Sequence, residues 1–308
     1  MNKEKNFVSA VIYVHNARGR VGPFVSMVRG VLKENFEHSE IICVNDFSSD
    51  GSLEEIRGLK AKLGSVSLSV VNMSYYHGLE VAMNAGNDLA IGDFVFEFDD
   101  TKADFSPPLI MEVYRKALEG YDIVSASPDR AEKLSSRIFY KVFERFSGRG
   151  YHFSTERFRI LSRRVINRIS SMNKMTIYRK AVYANCGLQT ANIRYAPAGA
   201  AEEKDPEERK YRIRLATDSL ILFTQVGYRF SMGMTFLMML LSVAMLIYTL
   251  VTYFSAHPVE GWTTTVLFLS LGFLGLFGIL TIVVKYLQLL VDMVFRRKHY
   301  SFESVEKI

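Results

Sequence analysis

Over the first hundred residues, short apolar runs bounded by polar turns alternate with longer segments of helical character. FVSAVIYV (7–14), EIICVN (40–45), Ser67–Met73 and Asp93–Phe98 predict strands, and residues 21–36, 52–63 and Gly78–Ala90 predict helices. Strands alternating with helices imply an α/β domain on a mainly parallel sheet. Ligands of such sheets bind beyond the carboxyl ends of the strands. Two polar clusters fall at those places: NDFSSDGS (45–52) after the second predicted strand and DDTKAD (99–104) after the fourth.

The pattern changes after residue 230, where the chain becomes strongly apolar as far as residue 295. Phe236–Phe254 and Thr265–Val284 hold 19 and 20 residues without a charge. Each is long enough to cross a hydrocarbon core of about 30 Å as a helix rising about 1.5 Å per residue. The loop between them, SAHPVEGWTT, lacks Lys and Arg and carries Trp262, the single tryptophan, as an interfacial anchor. Arg209, Lys210, Arg212, Arg214 and Arg229 precede the first stretch, and Arg296, Arg297 and Lys298 follow the second. Basic residues on both outer flanks place both ends in the cytoplasm. The expected order is a cytoplasmic domain over 1–208, a juxtamembrane segment over 209–230 that is either an amphipathic surface helix or the domain's last helix, two transmembrane helices within 231–295, and a cytoplasmic tail over 296–308. FESVEKI, at the end of that tail, shows no assignable feature.

Composition alters this picture little. The net charge of +6 suits an anionic surface, and the two apolar stretches favour a membrane over nucleic acid. Cys43 and Cys186 are far apart and show neither metal spacing nor a disulfide framework, so a reducing compartment is expected. The start, MNKEKNFVSAVIYV, runs from charged residues into a strand without a cleavage site, so no signal peptide is expected.

The chemistry concentrates in FVFEFDDTKADFSPPL (94–109), a core strand that ends in Glu97, Asp99, Asp100 and Asp104. The plain reading is a solvated turn; the sharper one is a divalent-cation site. Asp46, at the tip of another core strand, is a candidate for holding a base or ribose, while Ser49 or Asp50 suits the cap of the next helix.

The order of these motifs resembles family 2 glycosyltransferases of the polyprenyl-phosphate type, the group of bactoprenol glucosyltransferases and dolichol-phosphate mannose synthases. Asn16 after the first strand resembles the family's first nucleotide loop, and VNDFSSDGS its VDDGSxDGS segment. HGLEVAMNAGNDLAIGDF (77–94) resembles the N-x-G…A-x-N-x-G…A-x-G-D segment, and FEFDDTKADFSPPLI falls where the family has D-x-D and D-P-P. SSRIFYKVFERFSG (135–148), FRILSRRVINRI (158–169) and two apolar stretches follow in the family's order. The departures are Tyr13 for Pro, His15 for Tyr, ARGR for acidic residues after Asn16, Asn45 for the first Asp of VDD, DDT for D-x-D, and Arg157 for an acid before FRIL. A processive QxxRW motif is absent, which argues against a polysaccharide synthase.

The resemblance implies a GT-A-like, Rossmann-like domain followed by a two-helix transmembrane hairpin in a bacterial inner membrane. It implies transfer of a sugar from a nucleotide sugar, a UDP-sugar by preference, onto polyprenyl phosphate, with Mg²⁺ or Mn²⁺ steadying the diphosphate that leaves. On this reading Asp99, Asp100 and Asp104 are the metal ligands, and Asn16, Asn45, Asp46, His77, Gly78 and Asp99 hold the donor. Arg137, Arg159, Arg163, Arg179 and Lys210 are candidates for the lipid phosphate, with Asp99, Asp100, Arg137 and Arg179 as the catalytic set. The partners are the donor, the polyprenyl phosphate and the bilayer, with a homo-oligomer as a further candidate and no nucleic acid. Two other readings follow from the departures: a non-catalytic homologue that binds nucleotide sugar or lipid phosphate, and a transferase to a lipid-linked hydroxyl, for which Glu156 is the one nearby general base.

Overall fold

The computed structural model describes residues 3–59, 66–129, 156–171, 179–198 and 301–308, with isolated helical positions between 233 and 290. The chain divides into two compact units. One comprises Met1–Glu144, Arg149–Arg209 and Arg297–Ile308, the other Arg145–Gly148 and Lys210–Arg296.

In the first unit the described elements run β1 (Val8–Val14), α1 (Val21–Asn35), β2 (Ser39–Asn45), α2 (Ser52–Arg57), β3 (Ser67–Met73), α3 (Leu79–Leu89), β4 (Phe94–Phe98) and α4 (Pro108–Leu118). They continue with β5 (Ile123–Pro128), β6 (Phe158–Ser162), α5 (Arg163–Ser171), α6 (Arg179–Asn185), β7 (Thr190–Tyr195) and β8 (Phe302–Lys307). The eight strands form one sheet in the order β7-β5-β6-β4-β1-β2-β3-β8. β4, β1, β2 and β3 run parallel, whereas β6 is antiparallel to β4 and β5, and β8 is antiparallel to β3.

Alternation of side chains sorts the core onto two faces of the sheet. Val8, Ala10, Ile12 and Val14 face one way, against Phe24, Val28 and Leu32 of α1 and Ile110, Val113 and Tyr114 of α4. Val11, Ile42, Val44 and Val71 face the other way, against Ala82, Met83 and Ala85 of α3 and Val165 of α5. α1 is helical for a plain reason: Val21, Phe24, Val25, Val28, Val31 and Leu32 recur at three- and four-residue steps, and all are buried. Pro107 and Pro108 open α4, where a missing N–H costs nothing.

The chain passes from β1 to β2 on one side and returns to β4 on the other, so the strand order reverses at β1. The crevice of such a sheet opens beyond the C-terminal ends of the strands flanking that reversal. Because β6 is antiparallel to β4, its beginning lies at this same end.

β8 departs from the sequence reading. The tail pairs with β3 from Ser69↔Lys307 to Met73↔Phe302, with a register shift between Asn72 and Met73, and becomes the outermost strand of the sheet. Among the described residues no helix is long and apolar enough to cross a membrane. The two uncharged stretches lie largely outside the described residues, as do residues 209–230, Arg137, Lys210 and Trp262. Within the second unit the described positions Leu237, Leu240, Leu269, Leu276 and Leu280 are helical and exposed.

Candidate active site

Glu97 lies near the C-terminal end of β4 and is fully buried. Four neighbours explain how. Arg159 lies directly opposite on β6 and places Nη1 2.9 Å from Oε2. Tyr183 of α6 donates its hydroxyl to Oε1 at 2.7 Å, and Asn87 of α3 donates its amide to the same oxygen. Arg179 Nη1 stands 2.9 Å from Oε1 as an ion pair without hydrogen-bond geometry. A buried carboxylate is tolerated only when paired and hydrogen-bonded, and this one is both. Burial first, and the nearby Glu97 charge second, push the Tyr183 phenol well above its ordinary range, so Tyr183 acts as a donor.

The same two arginines close on Asp99 at the strand end. Arg159 Nη2 donates to Oδ2 at 2.6 Å and Arg179 Nη2 to Oδ1 at 2.7 Å. Burial alone would raise the Asp99 carboxyl, but the charges of Arg159, Arg179 and Lys180 outweigh it and hold the group well below the usual carboxylate range. Arg159 is completed by Glu156 at 3.0 Å and Arg179 by Glu80 at 2.9 Å. Each guanidinium is therefore bound by three carboxylates.

Arg157 organises the outer part of the cluster. It grips Asp104 with Nε at 2.8 Å and with Nη2, and its Nη1 lies 3.6 Å from Asp100. Tyr195 donates its hydroxyl to Asp104 at 3.0 Å. Of the three acids expected to form a metal site, Asp99 and Asp104 are thus enclosed by arginine. Among the described residues no three His, Cys, Asp or Glu side chains converge as a metal-holding group. Asp100 differs: its side chain is 31% exposed and its ion pair with Arg157 is long.

Of the arginines expected to bind an acceptor phosphate, Arg159, Arg163 and Arg179 are described, and each makes contacts within the protein. Arg159 and Arg179 are buried and committed to the acids. Arg163 lies at the opposite end of β4, where it donates to the carbonyls of Gly92 and Ala90. Distance from the strand ends removes it from the site. Arg157, noted only as a missing acid, is the side chain that joins Asp104 to Asp100.

The second polar cluster faces inward. Asp46 is fully buried, and its carboxylate accepts the N–H groups of His77 and Gly78, each at 2.8 Å, and the Tyr13 hydroxyl at 3.0 Å. It positions the turn that enters α3, with its carboxylate oxygens turned toward the protein in this structure. Gly78 takes φ 84°, which suits glycine, and lets both successive N–H groups meet that carboxylate. Asn45 is similarly enclosed: its amide donates to Asn72 at 3.1 Å, and its oxygen accepts the Ser48 N–H at 3.3 Å. Asn16 remains exposed, with a backbone φ of 45° and its side-chain oxygen accepting the Ser49 N–H at 3.0 Å.

An aromatic rim surrounds these enclosed groups, and the sequence reading did not include it. Phe47, Tyr75 and Tyr76 are all about half exposed at the ends of β2 and β3. His15 tilts against Tyr76 with ring centres 4.7 Å apart, and Tyr75 stacks on His77 at 3.9 Å. The available signal was the run SYYHG directly after a core strand.

The family model for glycosyl transferase family 2 matches residues 9–185. An uncharacterised glycosyltransferase of Synechocystis is 31% identical over 59% of this chain and 58% of its own length, so the chain spans under two thirds of that relative. A bactoprenol glucosyl transferase of Shigella phage SfV is 27% identical over 62% of this chain and 63% of its own. Among solved structures, glucosyl-3-phosphoglycerate synthase of Mycobacterium tuberculosis, in complex with Mn²⁺, UDP and phosphoglyceric acid, superposes with a TM-score of 0.51. It shares 13% identity over 70% of this chain and 78% of that one, a likeness of fold.

Proposed function

The chain belongs to glycosyl transferase family 2, with a GT-A-like fold, and is a glycosyltransferase; on that premise we propose that it is membrane-anchored and moves a sugar from a UDP-sugar onto a polyprenyl phosphate. One observation carries this reading. The sheet that holds the site is left by the chain before the two uncharged stretches and rejoined after them, as β8. A site served by segments that leave and re-enter one sheet suits an acceptor that resides in a bilayer. The exposed helical leucines of the second unit support it, as does the bactoprenol relative.

The donor's base packs on the rim of Phe47, Tyr75 and Tyr76, whose side chains are about half exposed. Its diphosphate points toward the acidic cluster. In the transfer a phosphate oxygen of the lipid attacks the anomeric carbon, and the bond from that carbon to the diphosphate oxygen breaks, leaving its electron pair on the nucleoside diphosphate. The acceptor is already an anion, so no strong general base is required. Arg157 at the expected acidic position is therefore compatible with turnover.

A divalent cation fits the residues present. Six carboxylates (Glu80, Glu97, Asp99, Asp100, Asp104 and Glu156) face four cations (Arg157, Arg159, Arg179 and Lys180), a formal excess of two negative charges. Thr101, beside Asp100, is buried with its hydroxyl unpaired. Magnesium-like ions are commonly held by one or two carboxylates together with substrate phosphates, which is what Asp100 offers. When bound, the ion neutralises charge that develops on the departing diphosphate. Asp99, locked by two arginines, sets the direction of the turn that carries Asp100. Arg157 and Lys180, both partly exposed and beside the cluster, are the cations that we assign to steady the acceptor phosphate.

The test is direct. Detergent-solubilised protein is incubated with undecaprenyl phosphate and a panel of nucleotide sugars, and the lipid fraction is analysed. A glycosylated lipid phosphate formed from a UDP-sugar is expected. Sugar found only on a lipid-linked hydroxyl, or donor bound and never consumed, would replace this reading with one of the two alternatives.

A further inference from the structure

Ser301, at the entry to β8, touches the loop that carries Tyr75 and Tyr76, and β8 itself reaches the loop of Phe47 through two intervening asparagines. At its start the Ser74 N–H donates to the Ser301 carbonyl at 3.0 Å, and the two serine hydroxyls lie 3.0 Å apart. The Ser301 N–H donates to Nε2 of His77 at 3.2 Å. His77 completes the connection inward: Nδ1 contacts the Tyr75 carbonyl at 2.5 Å, the ring stacks on Tyr75, and the backbone N–H is held by Asp46. A second line runs through the sheet. The Asn72 amide donates to Ser304 and to Glu306, each at 3.0 Å. The Asn72 oxygen accepts from Asn45, whose own oxygen accepts from Ser48, next to Phe47. Glu306 is fixed in turn by a two-pronged contact from Arg57 at 2.6 and 3.0 Å.

We propose that β8 is a positioning element for the nucleotide-sugar donor, setting the 75–78 loop through Ser301 and His77 and the 45–48 loop through Asn72 and Asn45. This rests on reading the aromatic rim as the donor site. Neither line of contacts reaches the acidic cluster, so β8 governs how the donor is held and leaves the chemistry of the cluster untouched. β8 also follows the second apolar stretch in the chain, which connects the anchoring segment to the grip on the donor.

Two variants test this in the full chain. Ser301→Pro removes the one N–H that His77 accepts and leaves the later strand pairing in place. Deletion of 301–308 removes the whole strand, and the synthetic peptide HYSFESVEKI, residues 299–308, is then added back. The readouts are backbone hydrogen exchange at Ser48, His77 and Gly78, UDP binding, and steady-state kinetics. In Ser301→Pro, exchange at His77 and Gly78 is expected to quicken and the donor KM to rise by roughly five- to tenfold, the scale of one or two lost hydrogen bonds, with kcat unchanged. In the deletion, exchange at Ser48 quickens as well, and the peptide restores protection and UDP binding. A purely structural role would lower the folded fraction, and with it kcat, at constant KM. Unchanged exchange in both variants overturns the coupling and needs no donor to be measured. Faster exchange with unaltered UDP affinity overturns the donor role. Wild-type protein that binds no UDP refutes the donor reading itself, and the exchange data tell that failure apart from the others.

Discussion

Asp99 and Asp100 are adjacent in sequence and opposite in circumstance. Asp99 is enclosed by two guanidiniums, whereas Asp100 keeps a partly exposed carboxylate and a long ion pair. Asp100→Asn is therefore expected to weaken cation-dependent donor binding about tenfold or more while changing stability by less than about 0.5 kcal/mol, as partly exposed sites do. Asp99→Asn should instead destabilise the fold by about 3–5 kcal/mol, because two buried arginines lose a shared counter-charge. The acid limb separates the two further. A carboxyl whose folded pKa lies below its unfolded value contributes stability above the unfolded value, roughly pH 3.9, and loses it as the pH falls through the folded one. The wild type should thus lose stability on acidification, and Asp99→Asn should lose less of what remains to it. Urea midpoints between pH 7 and pH 3, with UDP titrations in Mn²⁺ and in chelator, read both effects. Equal stability for Asp99→Asn and wild type would remove the buried ion cluster from the account of the fold.

At the scale of elements, α3 shows how closely the helices approach the sheet. A side chain on Gly86 would run into Val11 of β1 and Val44 of β2. Gly86→Ala should therefore cost about 1–3 kcal/mol through overpacking, despite the better helix propensity of alanine. Thermal unfolding measures it, and a rise in melting temperature would contradict the packing described. The approach matters for the site because α3 carries Glu80 and Asn87, which bind Arg179 and Glu97. β1 to β4 and α1 to α3 were legible because their patterns are local: alternation over five to seven residues and apolar steps of three and four. The predicted helix over 52–63 ends at Arg57, with Gly58 and Leu59 in a turn, and its last four positions lie outside the described residues. The enclosure of Asp99 was not legible, since Arg159 and Arg179 meet it across 60 and 80 residues of sequence. The inward contacts of Asp46 were hidden for the same reason: its partners at 77 and 78 are 31 and 32 residues away. β8 was the least legible of all. FESVEK is charged, short and alternating, and only the open edge of β3 gives it a place.

At the scale of the whole molecule, the return of the chain to its own sheet limits how it can meet a bilayer. Two parts of one sheet lie on one side, so any crossings between residues 198 and 301 are even in number. On the membrane reading, single cysteines at the exposed positions Arg20 and Glu303 are both expected to resist an impermeant thiol reagent added to intact cells and both to react once the cells are opened. The two native cysteines, Cys43 and Cys186, are both buried, which keeps background labelling low. Labelling of the two sites from opposite faces would contradict either the anchor or the β3–β8 pairing. The same pairing sets a timetable for biosynthesis. Asn72 and Ser304 are 232 residues apart, and a ribosome adding roughly 5–20 residues per second leaves β3 as a raw edge for on the order of ten seconds or more. Such an edge is a template for aggregation. On the membrane reading the apolar stretches emerge during this interval and are seated before β8 exists. The donor grip is then assembled last, and a nascent chain that fails to reach the bilayer is left unfinished as an enzyme.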